Sequence, residues 1–233
     1  MKILGIDSSA KSASAAITEN GKIISSVYTN TGLTHSQTLM PMVDEVLKAS
    51  GSELNEIGLI AVNNGPGSFT GIRIGVAAAK GMSDASGIPC VGISTLESMA
   101  YNFVGIKDSI ICAAMDARCN QVYTALFQIT DDGVQRLTED EAISITELDK
   151  RLKKYGKTKI LVGDGAEICY NAIEGEDIVL ANQKLRYQDA VGVCHAAESR
   201  STEDYIPGEK LEPVYLRLPQ AQRELSKKLN NKG

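Results

Sequence analysis

The chain has 233 residues, 43% of them hydrophobic, and a formal net charge of −5. That is enough apolar material for one large domain or two small lobes. The acidic balance argues against strong independent nucleic-acid binding, which needs clustered Lys and Arg against phosphate, and with no tryptophan and only three phenylalanines base-stacking platforms are scarce.

The longest apolar runs, Val76–Ala79 and Ile110–Met115, fall far short of the ~20 residues that a spanning helix needs. The start passes from Ile3 and Leu4 to Asp7 without the apolar core of a leader, so a cytoplasmic protein with no membrane contact is expected. The five cysteines, Cys90, Cys112, Cys119, Cys169 and Cys194, are odd in number, scattered and free of Cys-x-x-Cys. That pattern fits reduced thiols rather than a disulfide framework.

In chain order, Lys2–Ile6 reads as a buried strand, and Ser14–Thr18 faces Lys22–Thr29 across Asn20-Gly21, a strong hairpin signal. From Thr34 as N-cap, the residues His35, Leu39, Met42, Val43, Val46 and Leu47 recur at helical spacing until Gly51 stops them. Leu59–Val62 is a buried strand, Gly65-Pro66-Gly67 a turn, Thr70–Ser86 a helix of small residues, and Cys90–Ile93 a strand leading into a helix at Thr95–Phe103. The second half repeats this order. Strands are expected at Ser109–Met115, Gln121–Ile129 and Val134–Leu137, the last two joined around Asp131-Asp132-Gly133. A helix at Ile145–Tyr155, a strand at Lys159–Val162, a helix from Ala166 and a strand at Ile178–Leu180 follow. Helix-like Ala190–Ser201, strand-like Pro213–Leu218 and a polar tail close the chain.

Thus βββαβα occurs twice, which predicts an α/β chain of two actin-like, ribonuclease H-like lobes facing each other over a cleft. The expected division is 1–106 for the first lobe, 107–218 for the second and 219–233 for a C-terminal helix or tail, with a hinge at Gly105 to Asp108.

Leu4-Gly5-Ile6-Asp7-Ser8-Ser9 puts a carboxylate and two hydroxyls at the end of the first strand. With Lys11 and Ser12, the residues Asp7, Ser8 and Ser9 make a candidate phosphate loop, because hydroxyls and backbone N–H groups at such a turn can cradle an anion. An ordinary polar turn is the other reading. The string Gly65-Pro66-Gly67-Ser68-Phe69-Thr70-Gly71-Ile72-Arg73-Ile74-Gly75 is the most specific in the chain. Its glycines and proline set a tight turn, Ser68 or Thr70 can cap the following helix, and Arg73 could pair with a nearby carboxylate. Gly71, Gly75 and Ala79 fall four residues apart and leave one helix face bare for a close backbone approach. No Gly-Lys-Ser/Thr follows, so this is not a Walker loop. Asp116-Ala117-Arg118 ends the second lobe's first strand as Asp7 ends the first lobe's, but without glycines to close a second phosphate loop. Neither of the two histidines, His35 and His195, has a second ligand at metal spacing, so neither a metal site nor a Ser-His-Asp arrangement is expected.

Taken together, several strings resemble the TsaB (YeaZ) family. They are Gly5–Ser9, Thr34-His35-Ser36 with Pro41, the Gly65–Gly75 string, Ile88-Pro89 with Ser94-Thr95-Leu96-Glu97, Asp116-Ala117-Arg118, and Pro213–Arg217 with Pro219-Gln220-Ala221. The resemblance is strongest over residues 1–130 and at the C-terminal end. It implies a non-catalytic scaffold of tRNA threonylcarbamoyladenosine formation that binds a catalytic paralogue, TsaD, with the ATPase TsaE joining and tRNA reached only through the complex. In that catalytic relative the segment after the second helix carries His-x-x-x-His for a metal, and the matching positions here are Thr95 and Met99.

The resemblance further implies that the Thr34–Ser50 and Thr70–Ser86 helices form the partner surface, through His35, Leu39, Met42, Val43, Val46, Gly71, Ile72, Gly75 and Ala79, and that the chain alone pairs with itself there. It implies no required cofactor, with weak ATP or ADP binding mainly at the level of the complex. Two rival readings are an actin-like nucleotide phosphotransferase or ATPase, and a peptidase of the M22 type.

Overall fold

The computed structural model describes residues 1–217. The expected tail at 219–233, and Leu218, lie outside the described residues.

The first lobe opens with β1 (Lys2–Asp7), β2 (Ala13–Glu19) and β3 (Lys22–Thr29), antiparallel neighbours in which Asn20 and Gly21 both take positive φ to make the turn. Helix α1 (His35–Ser50) follows, then β4 (Ile57–Gly65), α2 (Phe69–Ser86) and β5 (Cys90–Ser94). β4 and β5 add in parallel beside β1, giving the order β3-β2-β1-β4-β5. Helix α3 (Thr95–Tyr101) closes this unit. The second lobe runs β6 (Ser109–Asp116), β7 (Gln121–Thr130), β8 (Gly133–Arg136), β9 (Glu141–Ser144), α4 (Ile145–Leu152), β10 (Thr158–Val162), α5 (Ala166–Ala172), β11 (Ile178–Leu180) and α6 (Gln183–Arg186). Its order, β11-β10-β6-β7-β8, is the first sheet's pattern repeated. The duplication read from the sequence is therefore the architecture of the molecule.

β9 and α6 are additions to the expected elements. β8 pairs with Phe127–Thr130 and β9 with Gln121–Thr124, so the two are halves of one interrupted edge of β7. At the interruption the Thr138 hydroxyl accepts the Leu126 N–H at 2.9 Å in place of a ladder partner.

Each sheet is covered on both faces. Leu4, Ile6, Ile60 and Val62 of the first sheet pack against Leu39, Met42, Val43 and Val46 of α1 and Ile72, Val76 and Ala79 of α2. The opposite face, Ile3, Ala16, Leu59, Ala61 and Val91, is covered by α7 (Ala190–Glu198). α3 covers the second sheet in exchange, through Leu96, Met99 and Ala100 against Ile111, Ala113 and Phe127. The outer face of that sheet carries α4 and α5. The layers thus run α1/α2, sheet, α7 and α3, sheet, α4/α5.

The expected boundary at residue 106 needs correction at the C-terminal side. Residues 190–211, counted with the second lobe in the 107–218 division, return to the first. α7 fills the first sheet's inner face, Ile206 bridges to Cys90 at the sheet edge through two backbone bonds of 2.7 and 2.9 Å, and Leu211 joins the core under α1 and α2. An apolar sheet face left by α3's departure demands this cover. Gly105 to Asp108 does lie in the connection between α3 and β6.

Candidate functional site in the cleft between the lobes

An open cleft of about 740 Å³ separates the ends of β1 and β6. Ser9, Lys11 and Ser12 line it from the first lobe, and Asp116, Arg118 and Asp164 from the second. Gly67, Ser68, Phe69 and Thr70 form one rim.

The candidate phosphate loop divides into two parts. Lys11 is exposed at the cleft, whereas Asp7 and Ser8 are fully buried beneath it. The donors are engaged within the chain: Ser9 N–H and Oγ–H both donate to Asp7 Oδ1, at 3.2 and 2.6 Å, and Ser8 Oγ–H donates to the Gly71 carbonyl at 2.8 Å. Asp7 Oδ1 also accepts from Asn63 Nδ2 at 2.8 Å, from the end of β4. Burial pushes the Asp7 carboxyl above its ordinary value, and the bonds from Ser9 and Asn63 oppose this without cancelling it.

The Gly65–Gly75 string explains how this loop is held. Ser68 N–H donates to the Ser9 carbonyl at 2.7 Å, and the Ser68 hydroxyl caps α2 by accepting from Gly71 N–H at 3.3 Å. A Cβ at Gly71 would collide with the Ser8 carbonyl, and one at Gly75 with the Ser8 hydroxyl. The bare helix face is therefore filled by the chain's own loop, and its close approach is what the four-residue spacing serves. Arg73 lies over the Phe69 ring, 5.1 Å from its centroid, and among the described residues it makes no ion pair with a carboxylate.

The same correction applies to most of the expected partner-binding residues. Leu39, Met42, Val43 and Val46 are 1%, 5%, 2% and 0% exposed, and Gly71, Ile72, Gly75 and Ala79 are buried as well. They are the first lobe's own core. His35 is half-buried and its Nε2 meets the Ala10 carbonyl at 2.6 Å, so it braces the β1–β2 loop. Helical periodicity finds the stripe that needs cover but not whether the cover is internal. The solvent side of the same helices holds Met40, 46% exposed, with Pro41, Ala77 and Gly81, and half-buried Ile74 and Ala78.

On the second lobe, Asp164 Oδ1 accepts the Asp116 N–H at 3.2 Å, and Asp116 Oδ1 accepts the Arg118 N–H at 2.8 Å. Burial raises the Asp164 pKa. Lys11, Arg118 and Arg217 line the cleft together with Asp116 and Asp164, so its charge is mixed.

Pro213–Leu218, read as strand-like, forms no strand over its described residues, 213–217. It is a strap across the rim. Val214 N–H donates to the Asn64 carbonyl at 2.7 Å, Tyr215 stacks on Phe69 with centroids 4.9 Å apart, and Arg217 donates to the Ala117 carbonyl at 2.8 Å. Pro213 has no N–H to continue a ladder. Gly163-Asp164-Gly165 reads from the sequence as a partial match to an adenosine loop, whereas Asn63 and the stacking of Phe69 on Tyr215 were not singled out. Asn63 carried a signal, a polar residue inside an otherwise apolar buried strand.

This fold and cleft define a two-lobed actin-like protein. The chain matches the family model described as TsaD: tRNA N6-adenosine threonylcarbamoyltransferase over residues 23–223. It is 31% identical over 220 residues to the tRNA threonylcarbamoyladenosine biosynthesis protein TsaB of Escherichia coli, covering 93% of this chain and 95% of that protein. It is 29% identical over 230 residues to the Bacillus subtilis TsaB, covering 95% and 96%. YeaZ from Pseudomonas aeruginosa superimposes with a TM-score of 0.78 at 23% identity, covering 92% of this chain and 99% of that one. The chain belongs to the TsaB (YeaZ) family of tRNA threonylcarbamoyladenosine biosynthesis proteins.

Proposed function

We propose that this chain is the non-catalytic scaffold of the threonylcarbamoyladenosine-forming complex and acts by binding a TsaD-type catalytic paralogue, with a TsaE-type ATPase joining them. The observation that carries this reading is the state of Thr95 and Met99. By the family resemblance they stand where the paralogue carries its metal-binding histidines; both are 0% exposed, and Met99 is part of the core under the second sheet. Neither a hydroxyl nor a thioether so enclosed is a ligand suited to that metal. Weak ATP or ADP binding would then arise mainly in the complex, and tRNA would be met only there.

The corrected burial moves the proposed partner surface to the outer side of α1 and α2. Ile74, Ala78 and Gly81 recur at helical spacing beside exposed Ala77, a low-relief stripe that a second helix can approach, and Met40 and Pro41 lie on the outer side of α1. The same stripe would let the chain pair with itself when the paralogue is missing. Burying Met40 at an interface contributes about 1.5–3 kcal/mol, so Met40→Asp should weaken association by roughly 10–100-fold. The experiment is co-purification with the catalytic paralogue, followed by a tRNA modification assay with and without this chain. Unchanged modification in its absence, or full-strength binding by folded Met40→Asp and Gly81→Leu, would defeat the reading. Turnover of ATP by the isolated chain would favour the phosphotransferase alternative.

A further inference from the structure

Beneath the cleft, two buried oxygens share one problem. Among the described residues Asp7 Oδ2 and Asn63 Oδ1 are enclosed and have no hydrogen-bond partner, although the other atoms of the same groups are bonded to each other, Asn63 Nδ2 donating to Asp7 Oδ1 at 2.8 Å. Both orphans are acceptors. A buried acceptor without a donor costs about 1–3 kcal/mol, and a charged one more.

We infer that one proton is bound between Asp7 Oδ2 and Asn63 Oδ1, so that Asp7 is a neutral carboxylic acid closed into a reciprocal pair with the Asn63 carboxamide. A single O–H donor on Oδ2 satisfies both orphans at once and removes a charge from a fully buried site. The surroundings agree. Ser14 stands opposite Asp7 on β2, Tyr28 reaches the region from β3, and Asp189 ahead of α7 repels a second negative charge there. The bonds from Ser9 and Asn63, and His35 on α1, act in the other direction. The direction of the Asp7 pKa, raised by burial, is consistent with this geometry.

The sign of the pH dependence follows. A carboxyl whose pKa is raised by folding holds its proton better in the native state, so its contribution is fully present below the unfolded value of ~3.9 and is lost as pH rises through the native value. Loss of the proton leaves an unpaired carboxylate under the Ser8–Ser9 loop, loosening the segment that α2 holds. The inference is independent of the partner reading.

The test has two arms on the full chain. With ¹³C-labelled aspartate, the Asp7 carboxyl, assigned by its loss in Asp7→Asn, should have the chemical shift of a protonated acid at pH about 6, well above the ordinary ~3.9. Asp7→Asn, which keeps the shape and supplies a permanent donor, should melt at or above the wild-type temperature, with a gap that widens as pH rises from about 4. An ionised Asp7 signal at pH about 6 overturns the proposal, whether a cation or anything else neutralises it. A folded Asp7→Asn that melts lower than wild type with a pH-independent gap overturns it as well. If Asp7→Asn fails to fold, the resonance is assigned by its coupling to the Ser8 amide in uniformly labelled wild type, and its shift decides.

Discussion

Two glycines on one helix, ten residues apart, have opposite physics. At Gly71 a Cβ meets the Ser8 carbonyl, while at Gly81 it meets nothing within 4 Å. Gly71→Ala should therefore cost about 1–3 kcal/mol by forcing the loop off the helix, more than the ~1 kcal/mol of helix propensity it gains. Gly81→Ala should keep that gain and raise the melting temperature by about 2–4 °C. Thermal melts of the two variants check both signs. Thiol chemistry gives a second residue-level test. Burial pushes the Cys169 and Cys194 thiols up to about 12 and raises those of Cys90 and Cys112, whereas Cys119 is exposed. The thiolate is the reactive form. Native protein treated with iodoacetamide should gain one adduct, at Cys119, and five only after denaturation; rapid multiple labelling of folded protein would contradict the described packing.

At the scale of elements, α1 shows what sequence can and cannot tell. Its apolar spacing, its Gly51 stop and its β–turn–β forerunner are all local, and they place the helix at His35–Ser50. Whether Leu39 or Met40 meets a partner depends on which side another element covers, and that cover comes from β-strands tens of residues away. Leu39→Ala should accordingly destabilise the isolated chain by about 2–5 kcal/mol, as a core truncation does, and affect partner binding only through folding. Calorimetry of the isolated variant checks this. The same limit explains β9 and the strap. β9 is four residues of mixed polarity completing an edge that β8 had begun, and Pro213–Arg217 takes its extended form from Asn64, Phe69 and Ala117 rather than from its own pattern. The cleft was legible as a place because both first strands end in aspartate. Its state was not, since the Asp7 environment depends on Asn63, 56 residues on.

For the whole molecule, the decisive feature is that α3 and α7 change lobes. Glu97 on α3 fastens the arrangement, accepting from Arg136 at 3.2 Å and from Arg200 at 2.6 Å, while Asp140 accepts from Arg136 and from Ser94 Oγ–H, both at 2.5 Å. A fragment ending at the expected boundary, 1–106, would expose Ile3, Ala16, Leu59, Ala61 and Val91 where α7 belongs, and it should be insoluble or unfolded when expressed alone. Intact protein should unfold in one calorimetric transition with matching calorimetric and van't Hoff enthalpies, because neither sheet has a complete core without the other half's helix. Two separated transitions would show the lobes to be independent. For a ribosome this exchange sets a schedule. The amino-terminal sheet cannot be finished when its last strand emerges; it must wait, with one apolar side uncovered, until roughly a hundred further residues have been translated and α7 arrives.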